Sequence, residues 1–246
     1  MKVAILITAR LKSTRLRMKV IKPIMGRPMI GYMLDRLKLA KKPEKIIICT
    51  SRVSQDDPLE EIAEKEAVLC FRGHADDVLL RLTEASKQFG VDVIISCTAD
   101  NPFVDPVYID RLADFHIKEG NDYSNVRGLP FGTFSYALSR DAMIKACEIK
   151  ATEDTEFWVG YFTKTGMFKV GTFDVEDPEI KRPELRLTVD TQEDFDVITA
   201  ICSALHKKNK NFSLHEIVSY CDNHPGLMDI NKRIEQKSAK SIYLKS

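Results

Sequence analysis

Apolar strand patterns and amphipathic helix patterns alternate over the first hundred residues of this chain of 246 residues. Strands are predicted over 2–8, 45–50, 68–72 and 91–98, with helices between them over 28–40, 58–67 and 76–89. This alternation is typical of a sheet whose strands are mostly parallel, joined by right-handed crossovers and covered by helices on both faces. The sequence therefore predicts an α/β fold.

The pattern becomes less regular after Asp105. Helices are predicted over 106–119, 139–150, 193–205 and 213–221, and strands over 131–138, 167–173 and 185–189. The Lys-rich tail from Asn231 is expected to fray. Because there is no repeat and no clear linker, we expect one domain over residues 1–246.

Composition excludes several classes of protein. The net charge of +1 gives no global basic field, so we expect no binding to nucleic acid. The N-terminal apolar run has five residues, which is too short for a signal peptide or a membrane span. The six cysteines are scattered without a C-x-x-C pair. They predict reduced, buried thiols in a cytoplasmic protein.

Cationic residues crowd into the loop that follows the first predicted strand. Five of them lie within ten positions: Arg10, Lys12, Arg15, Arg17 and Lys19. Like charges at such spacing repel one another, and we expect a polyanion to lie among them. Open α/β sheets bind their ligands outside the carboxyl ends of the strands. The loop therefore predicts a site for a polyanion, and a triphosphate is the most natural one.

Two predicted strands end in an aspartate. Asp100 follows the strand over 91–98, and Asp190 follows the strand over 185–189. Carboxylates at this edge suit Mg²⁺, which prefers one or two of them together with substrate phosphates. Local structure explains them as well, because Asp100 fits a turn and Asp190 or Thr191 fits a helix N-cap. Position alone leaves both interpretations open.

A fourth segment, Phe71-Arg72-Gly73-His74-Ala75-Asp76-Asp77-Val78-Leu79, follows another predicted strand. Gly73 allows the backbone to approach a ligand closely, while Asp76 fits the cap of the next helix. The sequence contains no Walker P-loop, dinucleotide-binding glycine motif or serine-nucleophile elbow. The histidines lack the spacing of metal ligands, and we interpret them as structural.

Four motifs in the expected order carry a resemblance to a known family. They are Ala9-Arg10-x-x-Ser13-Thr14-Arg15-Leu16-x-x-Lys19 with Lys22-Pro23-x-x-Gly26-Arg27-Pro28-Met29-Ile30, then Phe71-Arg72-Gly73-x-x-Asp76-Asp77-Val78-Leu79, Thr98-Ala99-Asp100-Asn101-Pro102, and Thr188-Val189-Asp190-Thr191-x-Glu193-Asp194-Phe195. The chain resembles the cytidylyltransferases that include CMP-Kdo synthetase and the acylneuraminate enzymes. Within that family it resembles most the branch of spore coat polysaccharide biosynthesis protein F.

The resemblance implies a nucleotide-diphospho-sugar transferase (GT-A-like) fold and a cytoplasmic homodimer. It implies that CTP and Mg²⁺ activate a sugar or sugar acid for surface-glycan synthesis, with release of pyrophosphate. Residues 1–105 would then bind the nucleotide, and residues 106–246 would bind the acceptor and form a C-terminal elaboration.

The resemblance also implies roles for particular residues. Catalytic roles fall to Arg10, Arg15, Lys19 and Asp100. Nucleotide contacts fall to Ala9, Arg10, Ser13, Lys19, Arg72, Gly73 and Asp100, with Arg72 and Gly73 near the cytosine. Acceptor contacts fall to Gly132, Tyr136 and Glu156. The magnesium ligands would be Asp100 and Asp190.

Three segments depart from the pattern of that branch. Residues 130–136 read Pro-Phe-Gly-Thr-Phe-Ser-Tyr in place of Pro-x-Gly-x-Asp-x-Glu, and residues 154–157 read Asp-Thr-Glu-Phe in place of Glu-Arg-Glu-His. Arg17-Met18 replaces Pro-Gly. A buried polar group left unmatched costs about 1–3 kcal/mol, enough to exclude the usual acceptor. These departures leave open a nucleotide-binding partner subunit without transferase activity. The same chemistry with another nucleotide is also open, because one backbone carbonyl or amide can decide between cytosine and uracil.

Overall fold

A seven-stranded sheet forms the centre of the protein in a computed structural model that describes residues 1–236 and 241–245. The strands are β1 (Val3–Thr8), β2 (Pro23–Ile24), β3 (Arg27–Pro28), β4 (Lys45–Ser51), β5 (Leu69–Gly73), β6 (Val93–Thr98), β7 (Tyr123–Arg127), β8 (Tyr136–Ser139) and β9 (Val170–Asp174). The order across the sheet is β5-β4-β1-β6-β8-β7-β9, while β2 and β3 form a separate hairpin.

Most neighbouring strands in the sheet are parallel. The pairs β5–β4, β4–β1, β1–β6 and β7–β9 are parallel, and β8 runs antiparallel to both β6 and β7. Strands from the second half of the chain thus extend the sheet that the first half begins. The predicted fold class, a mostly parallel sheet flanked by helices, is confirmed.

Helices cover both faces of the sheet. They are α1 (Met29–Leu37), α2 (Asp57–Lys65), α3 (Val78–Gln88), α4 (Pro106–Glu119), α5 (Arg140–Ile149), α6 (Val159–Thr163), α7 (Gln192–Leu205), α8 (Leu214–Asn223) and α9 (Pro225–Met228). One apolar core contains residues of α1, α2, α4, α7 and α8, and the second contains residues of α3, α5 and α6. Strands β1, β4 and β6 are apolar on both faces because both faces are covered.

Differences from the sequence prediction lie in the second half of the chain. Strand β7 was not expected, because Tyr-Ser-Asn-Val-Arg has only two apolar side chains and no clear alternation. The strand predicted over 185–189 is wrong: this segment forms an isolated bridge between Arg186 and Phe131. The strand predicted over 131–138 is confirmed only in part, as β8.

The C-terminal segment makes specific contacts where it is described, and the fraying expected for the tail from Asn231 stays a prediction. Asn231 is buried, and its side-chain amide donates to the Arg186 carbonyl and to Asp194. Leu244 pairs with Lys150 on the far side of the second core. Residues 237–240 and 246, to which the same expectation applied, lie outside the described residues.

Within the described residues all six cysteines are free thiols, and four of them are buried. No helix in this part of the chain is both long and apolar enough to cross a membrane.

Candidate active site

Three segments meet beside the carboxyl ends of β1 and β6, next to the loop that follows β1. Backbone hydrogen bonds join them in sequence: Val189 N donates to the Asp100 carbonyl at 2.8 Å, and Leu187 N donates to the Phe131 carbonyl at 2.7 Å. Thr133 O accepts from Asp105 N at 2.9 Å. The fold therefore brings the segments around residues 100, 131 and 189 to one edge of the sheet, where α/β folds bind ligands.

Lys19 joins the two aspartates predicted from the strand ends. Its ammonium nitrogen lies 2.9 Å from Asp100 Oδ2 and 3.0 Å from Asp190 Oδ1, and it donates to the Val189 carbonyl at 2.6 Å. Burial alone would lower the pKa of Lys19, but the two carboxylates outweigh burial and raise it. Lys19 is therefore held charged between Asp100 and Asp190.

Asp190 pairs with three cations. Besides Lys19, its Oδ1 is 2.8 Å from an Arg15 guanidinium nitrogen, and its Oδ2 accepts from Arg186 at 3.0 Å. Burial favours a higher pKa for Asp190, which is 7% exposed, but Lys19, Arg15 and Arg186 hold the pKa below its ordinary value. Asp190 is thus ionised although it is buried.

Helix capping does not account for either aspartate. Thr191 caps α7 through a capping box with Asp194, so the Asp190 carboxylate is left to the three cations. Asp105 caps α4, and the Asp100 carboxylate is 29% exposed beside Lys19. Thr191 is thus the N-cap that the sequence offered as an alternative to Asp190. Asp100 lies in the predicted turn, which Asn101 N closes by donating to the Thr98 carbonyl at 3.0 Å. Neither role accounts for the contacts of the two carboxylates with Lys19.

Arg186 and Asp194 complete the centre, and the sequence did not single them out for this role. Arg186 binds Asp194 with two nitrogens at 2.8 and 3.0 Å, and Asp194 is fully buried. Asp194 resembled an ordinary first-turn acid of a helix. The signals for it were its place in the last family motif and the arginine eight residues before it.

Acids separate the cations of the loop after β1. Arg10 donates to the Ala75 carbonyl and to Asp76 Oδ1, the latter at 2.8 Å, and Lys12 lies 3.8 Å from the same oxygen. Arg15 and Lys19 instead share Asp190. The expectation that only a bound polyanion relieves the repulsion is therefore wrong, because Asp76 and Asp190 already do so.

Ala9 and Ser13, both predicted to contact nucleotide, lie in this loop. Ala9 is buried and its N–H donates to the Cys49 carbonyl, while Ser13 is partly exposed. Arg72 and Gly73 lie at the end of the edge strand β5. Arg72 pairs with Asp57 and Glu60 of α2, and a Cβ on Gly73 would come within 2.7 Å of the Phe71 ring. Packing alone therefore explains the glycine.

Gly132 holds the acceptor-side loop against the segment that carries Asp190. Its φ is +96°, and a Cβ built there would lie 2.6 Å from Thr188 N. Only glycine fits such a position without moving the neighbouring backbone.

Tyr136 and Glu156 lie at the same edge, on separate segments. Tyr136 begins β8 and contacts the Trp158 ring at 5.7 Å between centroids. Glu156 is exposed, next to Thr155, whose hydroxyl donates to Asp77 at the start of α3.

Met18, where the resembling branch has glycine, adopts φ +53° and ψ +27°. This left-handed conformation is uncommon for residues with a Cβ. The loop therefore keeps the backbone that glycine would favour, despite the substitution.

Comparison with known proteins identifies the class to which this fold and site belong. A cytidylyltransferase structure from Leptospira borgpetersenii serovar Hardjo-bovis superposes with a TM-score of 0.85 and 27% sequence identity, over 97% of this chain and 100% of that one. The protein therefore has the fold of a nucleotidyltransferase, which confirms the fold implied by the resemblance.

A family model described as cytidylyltransferase matches residues 4–234. The chain belongs to the cytidylyltransferase family and is an enzyme of that class. It is 33% identical to an uncharacterized protein of Methanocaldococcus jannaschii, over 98% of this chain and 99% of that protein. It is also 29% identical to the spore coat polysaccharide biosynthesis protein SpsF of Bacillus subtilis, over 89% and 94% respectively. The predicted resemblance is confirmed.

Proposed function

We propose that this cytidylyltransferase uses CTP and Mg²⁺ to activate a sugar or sugar acid as a CMP- or CDP-linked product, with release of pyrophosphate, for the synthesis of a surface polysaccharide. The observation that carries the proposal is the position of Lys19 between Asp100 and Asp190 at the carboxyl edge of the sheet. The relative SpsF, whose name assigns it to spore coat polysaccharide biosynthesis, supports the product class.

Asp100 and Asp190 fit a divalent cation. Both carboxylates lie within 3.0 Å of one ammonium nitrogen, so a single positive centre reaches both of them. Mg²⁺ is commonly held by one or two carboxylates, with phosphates and water completing its shell. When bound, the metal would supply positive charge to the phosphate oxygens as negative charge develops on them.

Arg10, Arg15 and Lys19 are placed to hold the triphosphate in this proposal. Each lies in the loop after β1, and each now pairs with a carboxylate that a phosphate could replace as partner. Fixed cations around a reacting phosphate stabilise the charge of the transition state without rearranging at that moment. We assign catalytic positioning to these three residues and to Asp100.

The reaction replaces one phosphorus–oxygen bond with another. The acceptor oxygen attacks the α-phosphorus of CTP. A hydroxyl of a sugar acid loses its proton to solvent or a nearby base and gives a CMP-linked product, whereas a phosphate oxygen of a sugar phosphate gives a CDP-linked one. The bond between the α-phosphorus and the oxygen leading to the β-phosphorus breaks, and pyrophosphate leaves. The acceptor would enter beside Gly132 and Tyr136, next to the segment that carries Asp190, with residues 1–105 on the nucleotide side and Glu156 at the rim.

Pyrophosphate release tests the proposal. Purified protein with Mg²⁺ is given each of the four nucleoside triphosphates and a panel of sugar acids and sugar 1-phosphates, with the Leptospira enzyme assayed beside it. We expect release that requires CTP, Mg²⁺ and one acceptor class. CTP binding without release from any acceptor would contradict transfer and favour a nucleotide-binding partner subunit. The homodimer and the cytoplasmic location stay predictions.

A further inference from the structure

Aromatic rings line the acceptor end of the sheet edge. Phe134 contacts both Phe131 and Tyr136 edge-on, each at 5.8 Å between centroids, and Tyr136 meets Trp158 edge-on at 5.7 Å. Phe131, Phe134 and Tyr136 are half-buried, so each presents part of its ring to solvent, while Trp158 is only 5% exposed. We call Phe131, Phe134, Tyr136 and Trp158 the aromatic wall.

The aromatic wall lies across the edge of the sheet, beside the charged centre. The charged centre consists of Lys19, Asp100, Asp190, Arg186 and Asp194. Phe134 packs against the core on the α7 side, and Tyr136 packs against the core on the α3 side. The Phe131 backbone bonds to Leu187, three residues before Asp190. A molecule that reaches the charged centre from this side therefore meets aromatic C–H and ring surfaces.

Two buried oxygens beside Tyr136 have no hydrogen-bond partner in the described part of the chain. They are Ser96 Oγ on β6 and Asn125 Oδ1 on β7, although the Asn125 side chain hydrogen-bonds to the Tyr123 hydroxyl. Both residues lie directly opposite Tyr136 in the register of the sheet, so all three side chains project from one face. Because buried polar atoms are nearly always paired, these two point to a ligand that carries hydroxyl groups.

We propose that the aromatic wall selects a sugar whose end remote from the attacking oxygen is deoxygenated, with a methyl group in place of a hydroxymethyl group. This inference rests on the proposed function. A methyl group buries against aromatic rings without losing a hydrogen bond to water, whereas a hydroxymethyl group would lose one. Ser96 and Asn125 then pair with hydroxyls on the sugar ring.

The test compares acceptors that differ by one hydroxyl. Glucose 1-phosphate is paired with 6-deoxyglucose 1-phosphate, and N-acetylneuraminate with its 9-deoxy analogue. Binding is read from the fluorescence of Trp158, the only tryptophan in the sequence, and turnover from pyrophosphate release. We expect the deoxy member of the productive pair to be preferred about tenfold in affinity and in kcat/KM. Equal values, or preference for the hydroxylated member, would overturn the inference.

Variants of Phe134 and Ser96 separate the parts of the inference. Phe134→Asp should abolish the preference, and the apolar control Phe134→Leu should keep most of it. Ser96→Ala should weaken the binding of both sugars of a pair alike. It should not lower the unfolding temperature, because the Ser96 hydroxyl has no hydrogen-bond partner among the described residues. Thr50→Val is the matched control: it removes another buried, unpartnered hydroxyl, outside this wall, and should leave acceptor binding unchanged.

The two readouts distinguish failure of this inference from failure of the proposed function. Pyrophosphate release at equal rates from the hydroxylated and deoxy sugars of each pair would contradict this inference but leave the proposed function standing. Fluorescence changes that favour the deoxy sugar, without pyrophosphate release, support the inference and remove the function. Turnover with no change in Trp158 fluorescence would place the acceptor away from the wall and overturn the inference.

Discussion

The charged centre and the aromatic wall lie side by side at one edge of the sheet but are built in opposite ways. In the centre, Lys19 and Asp190 are nearly buried, and each is held by several partners of opposite charge. In the wall, neighbouring rings contact one another edge-on, and the polar oxygens of Ser96 and Asn125 have no partner in the described residues. The charges of the centre are paired without a ligand, although Asn101 Oδ1 beside it also lacks a partner in the described residues. In the wall, the unpartnered oxygens lie directly beside the aromatic rings.

This difference suggests a division of labour. A set of charges fixed in advance can serve any nucleoside triphosphate reaction, because the phosphates are the same in each. Side chains that pack against the variable part of an acceptor decide which acceptor is used. We therefore expect changes in the centre to alter rate and stability together, and changes in the wall to alter mainly the choice of acceptor.

Asp190→Asn should have the largest effect. It leaves Lys19, Arg15 and Arg186 without their shared charge, so we expect pyrophosphate release to fall on the order of 100-fold. Stability should fall by about 3 kcal/mol, because a buried ion-pair network is broken. Urea unfolding and the release assay measure the two effects.

Asp100→Asn is the matched comparison for Asp190. Its carboxylate is more exposed and pairs with Lys19 alone among the described residues. We expect a similar loss of rate but a loss of stability of only about 1 kcal/mol. A normal rate of pyrophosphate release in Asp190→Asn would show that Asp190 is only a structural counter-ion. It would contradict the comparison between the two regions.

Gly132→Ala should lower both stability and rate, because Gly132 packs the loop of the aromatic wall against the backbone just before Asp190. The added Cβ meets Thr188 N, and φ is unfavourable for alanine, so we expect a loss of about 3 kcal/mol together with a lower rate. Thermal unfolding and the release assay test this. The control is Gly166→Ala, where φ is +68° but nothing lies within 4 Å of the new Cβ; it should cost about 1 kcal/mol.

The free energy of unfolding should depend on pH through His116, which lies in the acceptor half of the chain. Burial lowers the pKa of His116, on α4, to about 4, and its Nδ1 lies 2.9 Å from Ser124 Oγ on β7. The unfolded chain binds this proton near pH 6.5, so the free energy of unfolding should fall by about 2–3 kcal/mol as pH drops from 6.5 to 4.

Urea unfolding of His116→Gln at a series of pH values measures the contribution of His116. The variant should show a flatter curve in this window than the wild type. Asp190 acts at lower pH, because its depressed pKa gives stability that is present above the unfolded pKa and is lost as pH falls through the folded one. Identical slopes in wild type and His116→Gln would contradict a buried neutral histidine.

Met18→Gly should have the smallest effect, an increase in stability of about 0.5 kcal/mol. Relief of the left-handed backbone at Met18 outweighs the greater freedom of glycine in the unfolded chain. The control Met167→Gly changes an equally exposed methionine outside the positive-φ residues, and it should not stabilise. A loss of stability in Met18→Gly would show that the Met18 side chain itself holds the loop.

The sequence predicted the first half of the fold and the location of the charged centre for the same reason. Buried parallel strands are apolar throughout, so a charged residue directly after one is conspicuous, and parallel strands bring such residues to one edge. Lys19 and Asp100 could be placed together in this way. Asp190 was placed with them through a strand over 185–189 that does not form, and the hydrogen bond from Val189 N to the Asp100 carbonyl brings it to this edge instead. The direct contact of Lys19 with both aspartates could not be predicted, because it depends on how the loop after β1 folds back.

The acceptor side was harder to predict because its strands are short and its residues contact distant ones. Strand β7 has a mixed pattern, and the apolar run over 185–189 resembles a strand but pairs mainly with the loop at Phe131. The role of Gly132 depends on the backbone of Thr188, 56 residues later in the chain. Phe134 was noticed only as a departure from the family pattern, and Tyr136 was named as an acceptor contact by resemblance alone. The packing of both rings is visible only in three dimensions.

Titration calorimetry of CTP tests the central claim most directly. CTP, UTP, GTP and ATP are titrated into the wild type and Asp100→Asn, each with and without Mg²⁺. The account predicts selective binding of CTP that depends on Mg²⁺ and weakens at least about tenfold in Asp100→Asn. CTP affinity that is unchanged by the mutation and by removal of Mg²⁺ would contradict a metal-assisted nucleotide site at Lys19, Asp100 and Asp190.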